Sequence, residues 1–375
     1  MSILIFIIIL LVLVLVHEFG HFFTAKSFGI RVDEFDFGFP PKLFGFKKGE
    51  TEYTYNALPL GGFVRIFGES PDEENMNGPD ADRSFVNKPK WKQALVLFAG
   101  IFSNFLLAWI LFSICFMSGF PTSVGSEPNG SQLSDVHLVV LSVLPKSPAE
   151  TAGLKIGDKI LNITSGKNST SYVSPETIQS FVVSSAGKEI DIGYTRGQNS
   201  EINLAKIVPV ENKTDNKPEI GISMDMIGNV KLPFLNAFFE GMRFTLSMTK
   251  NTAVGLYTLI AQSIHGKANL SEVSGPVGLV GIVGDAYKFG FVYLLSFTAL
   301  ISINLAIINV IPFPALDGGR IFFLLIEKIK GSRINPKIAN TLNMIGFCPP
   351  RDSFGMASPM GDKTRASTVS IVVPV

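Results

Sequence analysis

Residues 3–16 read ILIFIIILLVLVLV, and His17-Glu18-Phe19-Gly20-His21 follows at once. A run of this length without a polar side chain reads as a helix that spans a bilayer, and the span predicted here is 2–25. Positions i and i+4 share one helix face, so both imidazoles can bind a single Zn²⁺. Glu18 is then placed to take a proton from a zinc-bound water. Ionisable groups at membrane depth are costly and point by default to a functional site. The bland alternative is a pair of interfacial histidines at a helix end.

The chain has 375 residues, is 46% hydrophobic and has a mean hydropathy of +0.34. That composition suits an integral membrane protein with a soluble insert. A formal net charge of +1 gives no electrostatic case for nucleic acid. Cys115 and Cys348 offer neither a disulfide framework nor a cysteine zinc site.

Two further segments are long and apolar enough to span, 94–120 and 289–312. Flanking basic residues set the orientation. Arg83, Lys88, Lys90 and Lys92 precede the second span, and 121–145 holds no Lys or Arg. Arg320, Lys328, Lys330, Arg333 and Lys337 follow the third. Residues 26–93 and the end of the third span are therefore expected in the cytoplasm, with 121–288 and the N-terminus outside. The ends of the first and third spans then meet at one depth, near the cytoplasmic face.

A catalytic zinc takes three protein ligands and keeps one position open. His137 and His265 fall in the predicted external region. Asp317 is the better third ligand: it lies in the stretch Asn309-Val310-Ile311-Pro312-Phe313-Pro314-Ala315-Leu316-Asp317-Gly318-Gly319 and ends an uncharged run of 28 residues. Its prolines break the helix and free backbone groups, which is tolerable only where the site is wet or buried in protein. The plain alternative is an ordinary helix stop with a solvated aspartate.

HEFGH at 17–21 and NVIPFPALDGG at 309–319 together resemble the site-2 intramembrane zinc metalloproteases, in the bacterial form that carries a PDZ insert. Leu60-Gly61-Gly62-Phe63-Val64, Gly100-Ile101-Phe102-Ser103-Asn104 and Ser274-Gly275-Pro276-Val277-Gly278 support the resemblance, which runs in order to about residue 346. It implies zinc at His17, His21 and Asp317, with Glu18 as base. It also implies cleavage of a substrate's transmembrane helix near the cytoplasmic face. The phenylalanine-rich alternation at 31–68 reads as short strands and hairpins. The resemblance makes this a sheet dipping to the membrane, whose edge, with Gly61, Gly62 and Phe63, pairs with an unwound substrate. The alternative is a small structural sheet. Asn104 is expected either in helix packing or facing the substrate cavity. Asn309, just ahead of the proline break, is a candidate to hold the substrate backbone or the oxyanion.

The expected organisation is a first half of the membrane core at 1–120, a PDZ domain at 130–227 and a second half at 232–346. The PDZ signal is Ser147-Pro148-Ala149 leading through Gly153-Leu154 to Gly157-Asp158 and Ile160. Its groove is expected to take a peptide or chain terminus. Residues 70–90 read as a flexible connector, 232–265 as surface or core-packed helix, and 347–375 as an atypical, disordered tail. The fold class is thus a multi-span α-helical membrane protein with a zinc site, a small membrane-associated β-sheet and one extracytoplasmic PDZ domain. The function expected is zinc-dependent cleavage of single-span proteins, such as anti-sigma factors or signal-peptide remnants, in a bacterial inner membrane. A membrane-anchored PDZ adaptor without catalysis is the alternative, and zinc content separates the two.

Overall fold

The computed structural model describes residues 1–69, 73–166, 168–197, 201–211, 217–266, 276–332 and 334. The 341–346 segment, the tail at 347–375, Ser274-Gly275 and residues 70–72 of the connector lie outside the described residues.

Helix α1 (Ser2–Ser27) carries the apolar run and the HExxH without a break. Phe6, Ile9, Leu13, His17, Gly20, His21 and Ala25 are buried along one face. Ile3, Leu4, Ile8, Val12, Phe19 and Phe23 stay exposed on the rest of it. A helix apolar all round, with these large side chains uncovered, is one that lipid surrounds. Strands β1 (Val32–Lys48) and β2 (Thr51–Ile66), the short α2 (Glu73–Asn77) and the long α3 (Lys90–Ser118) follow. Then come β3 (Phe120–Ser123), β4 (Leu133–Val143), α4 (Pro148–Thr151), β5 (Lys159–Ser165), β6 (Asn168–Thr170) and α5 (Pro175–Ser184). Strands β7 (Ile190–Thr195), β8 (Asn203–Ile207), β9 (Val210–Glu211), β10 (Pro218–Glu219) and β11 (Ile222–Val230) complete the β-rich stretch. The described chain ends with α6 (Phe234–Ile264), α7 (Pro276–Phe289), α8 (Phe291–Val310) and α9 (Asp317–Lys330). Among the described residues, α1, α3 and α8 are long and apolar enough to cross a membrane.

The described residues form two compact units, one from 1–112, 242–266 and 297–334, the other from 113–241 and 276–296. In the first unit, Ala25, Ile30, Val32, Phe35, Val64, Ile66, Phe85, Val96 and Leu97 bury one cluster, with Ile321 and Leu324 of α9 against it. Each such side chain contributes about 1.5–3 kcal/mol when fully removed from water. The cluster ties the end of α1, the sheet, the start of α3 and α9 together. The phenylalanine-rich segment is not a row of separate hairpins. Glu34–Phe37 has partners on both sides, Arg65–Gly62 on one and Glu52–Tyr55 on the other. Lys42–Lys48 pairs back onto Asn56–Thr51. The two long strands fold over on themselves at Pro40-Pro41 and at Pro59, where the ladder is interrupted, because a proline cannot donate to it. The result is one four-segment sheet whose Gly62–Ile66 segment is an outer strand.

The second unit holds a seven-stranded sheet in the order β3-β11-β4-β5-β7-β8, with β6 on β5. Ser147 and Ser174 cap α4 and α5, their side chains accepting from Glu150 N and Thr177 N. Leu138, Val140, Ile160, Ile163, Ile190 and Ile192 of the strands are fully buried in one cluster with Ile178 of α5. The inward residues alternate along β4, β7 and β8, as a half-covered sheet requires, while a register shift in β5 separates Ile160 from Ile163. Asp158 is also fully buried, and it is saturated. Arg196 donates to both its oxygens at 2.7 and 2.8 Å, and Lys155 N donates to Oδ2 at 2.8 Å.

Candidate active site

The site is built where α1, α3 and the α8–α9 elbow meet in the first unit. Close approach of α1 and α3 depends on Gly20: a Cβ there would lie 2.3 Å from Ser103 Oγ and 2.4 Å from Ala99 O. Helix α8 ends at Val310, and the chain bends through Ile311–Leu316 before Asp317 opens α9. Asp317, which ends the uncharged run, is the first residue of that new helix. Gly318 and Gly319 make the bend possible, because added Cβ atoms would sit 2.2 Å from Val310 O and 2.1 Å from Phe313 O. Lys90 pairs with Glu327 and Arg320 with Glu69, so α9 is held at both ends.

His17, His21 and Asp317 come together. Nε2 of His17 lies 3.0 Å and Nε2 of His21 3.3 Å from Asp317 Oδ2, and the two ring nitrogens are 3.2 Å apart. Both histidines are buried, and Asp317 Oδ2 is buried without a hydrogen bond. His21 Nδ1 lies 2.8 Å from the carbonyl of Val96. That carbonyl only accepts, so a neutral His21 carries its proton there and turns a bare Nε2 to the cluster. A carboxylate oxygen and the bare Nε2 of His21 facing one point repel unless a proton or a cation lies among them. Ligands on a tetrahedral ion at about 2.0–2.1 Å stand roughly 3.3 Å apart, so both spacing and donor chemistry fit zinc. Among the described residues this is the one such group. His137 is half-buried and contacts Asp135 at 2.7 Å, and the exposed His265 contacts Ala261 O at 2.6 Å; neither belongs to this group.

Glu18 is half-buried on the same helix, and Val64 N donates to its Oε2 at 3.1 Å. Only Oε2 is thereby engaged, and the outer strand of the sheet is brought against the base. Gly61 and Gly62 are buried in that strand's lead-in, and a Cβ on Gly62 would stand 2.5 Å from Asp36 O. Phe63 is half-buried beside them. Asn309 is half-buried in the last turn of α8. Asn104 sits midway along α3. It is fully buried, its Nδ2 placed 3.2 Å from Nδ1 of His17, because α3 packs its polar position onto the back of the histidine face. Sequence reasoning missed two further groups, the Val96 carbonyl and Ser302, whose Oγ donates to Asn104 O at 2.8 Å. A backbone carbonyl has no sequence signal at all.

A candidate zinc metalloprotease of Clostridium perfringens is 36% identical over 336 residues, covering 89% of this chain and 90% of its own. The regulator of sigma-W protease RasP of Bacillus subtilis is 31% identical over 406 residues, covering 88% of this chain and 90% of its own. The crystal structure of the PDZ domain of an SdrC-like protein from Listeria innocua matches 24% of this chain and 92% of its own, at 30% identity and a TM-score of 0.20. The family model for Peptidase family M50 matches residues 5–349, and the chain belongs to that family.

Proposed function

We propose that this protein is a zinc-dependent intramembrane endopeptidase that cuts the transmembrane segments of single-span membrane proteins. The observation that carries the reading is the convergence of His17, His21 and Asp317 within 3.3 Å of one another on membrane-depth elements, with Glu18 one residue from a ligand. His17, His21 and Asp317 would hold the zinc, which would supply Lewis-acid polarisation to a water and to the scissile carbonyl. Glu18 accepts the water's proton and returns it to the leaving amine. Its bond from Val64 fixes Oε2 and leaves Oε1 for the transfer.

A helical substrate hides its carbonyls in internal hydrogen bonds and must unwind before it is cut. The outer strand Gly62–Ile66, ending against Glu18, supports the reading that an extended substrate pairs at this edge. Gly61, Gly62 and Phe63 would then line it, and Asn309 would hold the substrate backbone or oxyanion. The β-rich insert reads as an extracytoplasmic PDZ domain that screens chain ends. In support, β4 pairs along β11 while β3 covers only Ile227–Val230, so among the described residues Ile222–Asp225 keep one strand edge open. By analogy with the regulator of sigma-W protease, the substrates are of the anti-sigma-factor type, trimmed outside before the intramembrane cut.

The test is co-expression of tagged single-span candidates with the wild type and with Glu18→Gln. Wild type should release a fragment from the membrane; Glu18→Gln should lose this by about 10²–10⁴-fold, the usual contribution of a general base, while keeping its zinc. Equal release by both removes Glu18 from the mechanism.

A further inference from the structure

Helix α3 touches α1 along Val96, Gly100 and Asn104, each one turn from the next, and every one of them meets a histidine. Val96 O takes the contact from His21 Nδ1 at 2.8 Å. A Cβ at Gly100 would lie 2.3 Å from His21 Nε2, so this position must be bare for the ring to fit. Asn104 Nδ2 is 3.2 Å from His17 Nδ1. Gly100 and Asn104 thus repeat on α3 the i, i+4 spacing of His21 and His17 on α1, running the opposite way.

Packing alone does not account for an amide at 104. Its Oδ1 is buried with no hydrogen bond. A lone buried acceptor costs about 1–3 kcal/mol, and lipid offers no water to relieve it. The residue is already anchored through its backbone, where Ser302 donates to its carbonyl. An apolar side chain of the same size would fill the place at less cost.

The tautomer of His17 supplies the reason. With the proton on Nε2, Nδ1 is an acceptor and suits the amide N–H as placed. With the proton on Nδ1, Nε2 turns a lone pair to the cluster, as a metal ligand must, and Nδ1–H needs an acceptor. A half-turn of the carboxamide presents Oδ1 to it, and the two ends of an amide are nearly the same shape. We propose that Asn104 is a positioning residue for His17 that follows the ring's tautomer, holding the ring in one orientation and accepting from Nδ1–H when Nε2 serves as ligand. The proposal rests on the reading of His17, His21 and Asp317 as a zinc site.

The test uses the full-length chain in detergent, with Zn²⁺ affinity read by chelator competition and the Co²⁺ absorption bands as a second readout. Asn104→Leu should weaken Zn²⁺ binding by about 10–100-fold, the usual cost of an outer partner, and shift the Co²⁺ bands. Asn104→Asp, which can only accept, should restore both to near wild type. If Asn104→Leu is not recovered folded, Asn104→Ala carries the same expectation. Wild-type affinity in the apolar variant, or an Asn104→Asp variant as weak as Asn104→Leu, overturns the proposal. Full affinity in Asn104→Leu beside weak binding in Asp317→Ala overturns it alone, whereas a wild type that binds no Zn²⁺ overturns the metal reading as well.

Discussion

Asp317 in the first unit and Asp158 in the second are both acidic side chains taken out of water, and their surroundings are opposite. Asp158 receives a two-pronged Arg196 and a backbone N–H, so its charge is matched on both oxygens. Asp317 faces two ring nitrogens and keeps Oδ2 without a hydrogen bond. The first arrangement is how a fold stabilises a buried charge. The second is tolerable only if something outside the chain completes it. Satisfied burial marks structure, and unsatisfied burial at the crossing of three elements marks a site.

The sharpest way to break this contrast is to remove each carboxylate and read zinc. Asp317→Ala should lower zinc affinity by more than the ~10–100-fold cost of an outer-shell change and abolish cleavage. The protease resistance of the insert should not move. Metal analysis checks this directly, and full zinc in that variant would assign the third ligand elsewhere.

A smaller effect is expected at the other carboxylate. Arg196→Ala leaves Asp158 buried and unpaired and should cost the second unit about 3–5 kcal/mol. Asp158→Ala lets the half-exposed Arg196 reach water and should cost only about 1–3 kcal/mol. Neither should change zinc content. Hydrogen exchange in β5 and β7 measures the order; the reverse order would show that Asp158 is not the costly member.

The smallest effect lies between the two cases, at Asp36 in the sheet. Burial first, then the nearby Glu34 charge, push its carboxyl up to about 7. A folded value raised above the ordinary 3.8 stabilises the sheet at low pH. That contribution is whole below the unfolded value and is lost as pH rises through about 7. Asp36→Asn should flatten this dependence between pH 4 and 8, read as hydrogen exchange in β1. An unchanged pH profile would assign the dependence to another group.

Much of the site was legible from residue order. His17 and His21 announce themselves by spacing, and Asp317 by a carboxylate ending an apolar run at matching depth. The role of Asn104 was not legible, because which face of α3 meets α1 is decided by Gly20 and Gly100 in three dimensions. The one signal available was that Gly100 and Asn104 share the histidine spacing. In the sheet, alternation at 31–68 marks strands, but Glu34–Phe37 finds its two sets of partners through long-range register, which no local pattern encodes. The stretch 232–265 reads as a helix from its apolar residues and sparse charges, and one continuous helix occupies Phe234–Ile264.

The elbow between α8 and α9 places the third ligand by main chain against main chain. At Gly318 and Gly319 there is room for hydrogen and nothing larger, while the exposed Phe313 beside them leaves its side chain free to vary. The reach of the carboxylate is therefore written in two residues that carry no functional group. A protein built this way can drift in its visible chemistry around the bend, yet it has almost no latitude at the positions where chemistry is absent.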